Sequence, residues 1–187
     1  MSQFEYVTVL TSFVVAVGVS DLLSGWGRLY LHRASVAMFP LQLAASALLL
    51  LALLQSIWGY WGFRDVAWNF GGFLLALSPL LPVVAAAHLI TPPATGSSGQ
   101  PADPETHYHS VFRAIFTLLA TWVALGVVAE LFLAGPDLHF GQLVRGLAIV
   151  LLLALRLTSN TSVHWAGLVL LALLQVAFIG TVTPALE

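Results

Sequence analysis

Long stretches without a single charge constrain this chain more than anything else in it. Tyr6 to Ser20 has none, and neither does Phe39 to Trp61. A helix that crosses a bilayer needs about 20 mainly apolar residues. Of the 187 residues 59% are hydrophobic and 7% charged, against about 25% charged in a soluble domain. Too few charges remain to clothe a water-facing surface, so the natural solvent of this chain is lipid. The expected fold is all-α: a polytopic transmembrane bundle of about six spans in one domain, residues 1–187. The spans are predicted over about 4–31, 39–61, 68–90, 107–133, 140–157 and 163–182, with a polar Pro/Gly/Ser-rich loop over 91–105.

The fifth span is the least regular. Arg145 and Arg156 stand eleven positions apart, ~17 Å of helix at 1.5 Å per residue. Both must reach opposite membrane faces, or the segment is re-entrant. In the third span Pro79 and Pro82 predict a kink near Ser78–Pro82 packed against protein, because neighbours must satisfy the carbonyls that proline frees. Tyr6, Trp58, Tyr60, Trp61 and Trp68 are predicted at one interface, and Trp26, Tyr30, Tyr108 and Trp165 at the other, as aromatic belts. A turn is expected at Gly135-Pro136-Asp137. The segment Leu-Leu-Ala-Leu-Leu-Gln occurs twice, at Leu50–Gln55 and Leu170–Gln175, either as the trace of an internal repeat or by chance in a Leu/Ala-rich chain.

Composition also excludes chemistry. Without lysine there is no retinal Schiff base. Without cysteine there are no disulfides, thiolate metal sites, iron–sulfur clusters or covalently attached haem. A net charge of −2 and the lack of a basic patch give nucleic-acid binding no electrostatic support. Met1 to Tyr6 lacks the positive stretch of a signal peptide, so the first apolar run is expected to be a retained helix. No activated nucleophile, phosphate loop or HExxH is present, and the chain is not expected to be an enzyme.

The segments Phe4-Glu5-Tyr6-Val7-Thr8-Val9-Leu10 and Gly18-Val19-Ser20-Asp21-Leu22-Leu23 carry a resemblance. So do Gln55-Ser56-Ile57-Trp58, Trp61-Gly62-Phe63-Arg64, Trp68-Asn69-Phe70 and Asp103-Pro104-Glu105-Thr106-His107-Tyr108. Over roughly its first 115 residues the chain resembles a group of uncharacterised bacterial multi-pass membrane proteins. The resemblance implies the fold and a bacterial inner-membrane location, and it implies no activity. Members of the group carry more arginines after the first span, which favours that loop as cytoplasmic. The arginine distribution points the same way. Arg28, Arg33, Arg156 and Arg113 fall towards one face and Arg64 and Arg145 towards the other, which places both termini in the periplasm.

A few residues could carry chemistry. Asp21 lies inside the first span and Arg113 at similar depth on the fourth, and a buried Asp21–Arg113 pair would relieve both charges. Such a pair serves either as an ion or proton relay or polar binding site, or as a register lock. Glu130 and Arg145 form a second candidate pair near the other interface, by a local ion pair or by snorkelling. Gln42, Gln55 and Gln175 are expected to join helices or to line a polar path. Ser12, Ala16, Ser20 and Ser24, at i+4 spacing, make a small-residue face on the first span that should meet another helix, with that span in the bundle interior or against a partner subunit.

The histidines gather towards the arginine-rich face. His88 and His164 could ligate haem, and His107 and His109 could hold a divalent metal only if extended, since i, i+2 residues part on a helix. No cofactor is predicted outright. Three functions stay open: a small oligomeric channel or transporter, a haem- or metal-binding membrane protein, and an accessory or scaffold subunit of a membrane complex. The partners expected are the lipid bilayer and either further copies of the chain or other subunits.

Overall fold

The structure, a computed structural model, describes residues 2–34, 38–93, 103–135 and 140–182, and the side chains of 181 and 182 lie outside that description. Residues 94–102 of the predicted loop, the Pro136–Asp137 part of the predicted turn, and His139 also lie outside it. Every element among the described residues is helical: α1 Gln3–Leu31, α2 Pro40–Gly59, a 3-10 turn Tyr60–Phe63, α3 Phe70–Leu77, α4 Leu80–Ile90, α5 Pro104–Leu133, α6 Phe140–Arg156 and α7 Thr161–Val182. Among the described residues five segments are long and apolar enough to cross a bilayer: 3–31, 40–63, 70–90, 104–133 and 161–180. At 17 residues, α6 extends ~25 Å, short of the ~30 Å hydrocarbon core.

Local chemistry sets the helix ends. Ser2 caps α1 by accepting from the Glu5 N–H while Glu5 Oε2 accepts from the Ser2 N–H, a capping box. Asn69 caps α3, accepting from the Gly72 N–H at 2.8 Å. Asp103 caps α5, with Pro104 at the first helical position. Asp103 Oδ2 accepts from the Thr106 hydroxyl at 2.6 Å and from the Thr106 N–H at 3.0 Å. These bonds, the hydroxyl first, hold the Asp103 carboxyl below its ordinary 3.8. A carboxyl whose pKa falls on folding stabilises fully above its unfolded value and loses that effect as pH falls through the folded value. The first turn of α5 should therefore keep its amide protection at pH 5 and lose it below pH ~3.8, read by hydrogen exchange at Glu105 to His107.

Span three breaks where its prolines predict. Pro79 has no N–H to give to Leu75, four residues back. The Ser78 hydroxyl donates to the Leu75 carbonyl instead, at 2.8 Å. Beside the break, the buried Tyr60 hydroxyl crosses from the 3-10 turn and donates to the Ala76 carbonyl. Ser78 and Pro79 keep right-handed helical dihedrals, so α3 and α4 form one bent span. Tyr60→Phe removes the donor and leaves Ala76 O short of a partner, which should cost about 1–2 kcal/mol, seen as a lower melting temperature in detergent.

The helices form a ring. α2 packs on α4, α4 on α5, α5 on α6, α6 on α7, and α7 returns to α2, while α1 lies outside against α2 and α4. This corrects the expectation of an interior first span. α1 packs through Val7, Thr11, Val15, Gly18, Leu22 and Gly25, which are buried. Ala16, Ser20 and Ser24 are exposed, so within this chain the 12/16/20/24 face is not the packing face. Closest approach decides the matter: a Cβ on Gly18 would touch Leu53 and Val84, and one on Gly25 would overlap Thr91. The same contacts set α1 and α4 parallel, residues 18 and 25 level with 84 and 91.

Candidate functional site

The ring encloses a half-open cavity of about 500 Å³ between α2, α4, α5, α6 and α7. Its lining runs from Ala45 to Gly59 on α2 and from Leu168 to Ile179 on α7, ~21 Å and ~17 Å of helix, and along a longer stretch of α5. The exposed lining residues, Trp58, Gly59, Gly62 and Ala134, all sit at one end, the end that also holds the start of α1. The cavity therefore opens at that end.

The opposite end is closed. Tyr108, Phe112 and Phe116 stand at i, i+4 and i+8 on α5, all buried, and ring-pack around His164, which is fully buried. The Tyr108 hydroxyl donates to His164 Nδ1 at 3.0 Å, and His164 Nε2–H donates to the Thr158 carbonyl at 2.9 Å. Both ring nitrogens are thereby engaged. This one cluster ties the start of α5 to the α6–α7 turn and plugs the cavity.

About one helical turn inside the mouth lies a polar collar. Gln55 is four residues in from Gly59, Glu130 four in from Ala134, and Gln175 four in from Ile179. The Gln175 amide donates to Gln55 Oε1 at 2.9 Å, so the two Leu-Leu-Ala-Leu-Leu-Gln segments meet at their glutamines, on helices that run in the same direction. Arg145 turns inward, pairs with Glu130, and lies 4.6 Å from the Phe178 ring centroid. Each side chain of the pair is 20% exposed. Self-neutralisation lets two charges stay at this depth, since an isolated buried ion is far costlier. Below the collar the lining is apolar, with Leu49, Ile115, Trp122, Leu152 and Leu168 among it.

The structure joins one of the two charge pairs expected from the sequence. Asp21 is bound not by Arg113 but by His88, whose Nδ1 lies 3.1 Å from Asp21 Oδ2. Arg113 is exposed, with its guanidinium 5.6 Å from the Phe112 ring centroid. The depth assigned to Asp21 assumed that α1 ends at the membrane surface. Its partner His88 lies two residues from the end of α4, whereas α1 continues ten residues, ~15 Å, beyond Asp21. At 29 residues α1 outruns the hydrocarbon core. Arg145 takes the first of its two expected arrangements, a local ion pair with Glu130 inside the bundle, and Arg156 is exposed at the far end of α6.

The other candidates separate. Gln42 is buried and its amide donates to the Ile90 carbonyl at 2.5 Å, joining α2 to the end of α4 away from the cavity. His107 Nε2–H donates to the Leu89 carbonyl at 2.9 Å, while the His109 ring packs on Phe39, so these two part on a helix as i, i+2 residues do. With both nitrogens engaged, His164 has none left for haem iron. Among the described residues no three His, Asp or Glu side chains gather as a metal site. Tyr60 and Tyr108, expected in the aromatic belts, point inward as braces, while Tyr6, Tyr30, Trp58, Trp61 and Trp165 are exposed as a belt requires. Sequence reasoning overlooked the lining set Tyr108, Phe112, Phe116 and Trp122, although the i+4 aromatic stripe was visible on α5.

These features define the class: a multi-pass α-helical membrane protein whose ring of spans holds a one-ended apolar cavity with a polar collar. No family model, curated protein or solved structure matches the chain.

Proposed function

We propose that this protein binds an amphipathic small molecule in the cavity, apolar part inward and polar part at the collar. The observation that carries this is the sequence of environments along one axis: an exposed mouth, the Glu130–Arg145 and Gln55–Gln175 collar, an apolar tube and an aromatic floor. Ligand sites are mostly apolar with a few placed polar groups, and 500 Å³ lies within their ~300–1,000 Å³ range. The test is organic extraction of protein purified in detergent, followed by mass spectrometry. One amphiphile recovered near stoichiometry, and lost when Arg145 is replaced by Met, supports the proposal. An empty extract, together with no saturable binding of added amphiphiles, refutes it.

Transport is a second reading with one specific support: among the described residues, the Tyr108–His164–Phe112–Phe116 layer closes the cavity from the opposite end. A carrier would open that layer while closing the mouth. Liposome flux that rises in Tyr108→Ala and vanishes in Arg145→Met would favour it over simple binding. Membership of an oligomer or larger complex is supported by the outward side of α1 and α4, where His88 of α4 is 76% exposed beside Asp21 of α1. We place the chain in a bacterial inner membrane with both termini periplasmic. The inward turn of Arg145 leaves Arg64 against Arg28, Arg33 and Arg156 at the membrane faces, which favours that orientation.

A further inference from the structure

We propose that a second copy of this chain supplies the acid that Arg113 lacks: Arg113 of one copy pairs with Asp21 of the next, side by side in the membrane. This contact is independent of what the cavity holds.

Neither charge is fully provided for within its own chain. The Asp21 side chain is 33% exposed, and its Oδ2 meets His88, itself 76% exposed. Among the described residues no acid pairs with Arg113. Its guanidinium stands beside the Phe112 ring, and the residue is exposed. An ionisable side chain on a spanning helix is costly, and it is kept where a partner of opposite charge meets it.

The pair does not close inside one copy. α4 packs on both α1 and α5. His107 turns from α5 towards α4 and donates to the Leu89 carbonyl. Arg113 is six residues further along α5. At about 100° per residue it points about 120° away from the His107 direction. Asp21 stands on α1, across α4. The two groups thus leave one molecule in different directions, as a head-to-tail contact between copies requires.

Their depths agree. Gly18 lies level with Val84 and Gly25 with Thr91, which sets Asp21 level with Ala87, two residues inside Leu89. Arg113 lies six residues inside His107, the residue that reaches Leu89. The offset is about four residues, ~6 Å. Side chains lean towards the N-terminus of their own helix. α1 runs parallel to α4 and α5 runs against it. Arg113 therefore leans towards the end that holds His88, and Asp21 leans away from that end, so the offset narrows. Ser24 on α1, and Ser110 and Ala114 on α5, flank the two groups and are exposed. Small residues there let helices of two copies approach closely.

The chain has no cysteine, so single thiols can be placed beside the pair without touching it. One tagged chain carries Ser24→Cys, and a second chain with a larger tag carries Ser110→Cys. Both are made in the same cells, and their membranes are treated with a short bifunctional thiol reagent. The mixed dimer is expected as the main product, and Arg113→Asp added to both chains should reduce it at least about tenfold. A membrane that yields no mixed dimer, or only like-with-like dimers, overturns the proposal.

Charge exchange gives the second reading. In mild detergent the full-length chain should associate, as read by native mass spectrometry. Asp21→Arg alone and Arg113→Asp alone should each weaken association at least about tenfold, or about 1.4 kcal/mol. Mixing the two variants should restore it, because each supplies the sign that the other lacks. Only a contact between copies predicts that recovery. If Asp21→Arg does not fold, Asp21→Asn, which keeps an acceptor for His88, takes its place. A monomeric parent chain overturns the proposal. So does association that both single variants leave unchanged, which would mean an oligomer held through another face.

Discussion

Glu130→Ala should lower the stability of the detergent-solubilised protein by about 3 kcal/mol, the low end of what is lost when one partner of a buried ion pair is removed. The low end applies because both side chains keep 20% exposure at the cavity wall. The loss comes mainly from what is left behind. Arg145 sits on α6 with Phe178 against its guanidinium, and α6 is too short to carry it to the membrane surface by a shift of the helix. Arg145→Met, which removes the charge and keeps the apolar stem, should cost less than Glu130→Ala, and the double replacement should cost less than the sum of the two. A double-mutant cycle on thermal melts, followed by tryptophan fluorescence, checks this. Additive losses would mean that the two residues do not act as a pair.

Gly167→Ala is the second large effect, expected near 2 kcal/mol, within the range for overpacked cores. A Cβ at Gly167 would lie 2.4 and 2.6 Å from the two methyls of Leu155 and 2.9 Å from its Cγ. Leu155 is 2% exposed, and its carbonyl lies 3.3 Å from His164 Nε2. The clash would therefore push α7 off α6 and disturb the plug beneath the cavity. Gly146→Ala on α6 is the control: its Cβ meets nothing within 4 Å, so helix propensity alone should raise stability, by up to about 1 kcal/mol. Melting temperatures that move in opposite directions for these two glycines would confirm the contact. Equal shifts would refute it.

The consequences for function meet at the same two places. The collar and the plug are the polar interruptions of an otherwise apolar interior axis, and each is held by residues from different spans. Glu130 and Arg145 come from α5 and α6, Gln55 and Gln175 from α2 and α7, and Tyr108 and His164 from α5 and α7. A change at either place should alter both stability and ligand affinity.

The sequence by itself determined that this protein is a bundle of apolar helices suited to lipid, and where particular helices begin and bend. Free energies that are local in the chain control those properties. Charge-free runs of span length cannot be hydrated cheaply, Asn69 and Asp103 satisfy the N–H groups beside them, and Pro79 frees the Leu75 carbonyl wherever the rest of the bundle lies. Glu130 and Arg145 were also legible as a pair, since the two lie near each other across one short connection.

Tertiary structure alone decided which helix stands outside the ring, which face of α1 is buried, and that Asp21 meets His88 rather than Arg113. In lipid, apolar side chains are no guide to direction, because the acyl chains outside are as apolar as the interior. Close approach at Gly18 and Gly25 then outweighs the more regular serine stripe one position away. The cavity was hidden for the same reason. It is a space left between five helices by the shapes of residues such as Ala52, Gly126 and Ala148, and no single segment of sequence encodes it.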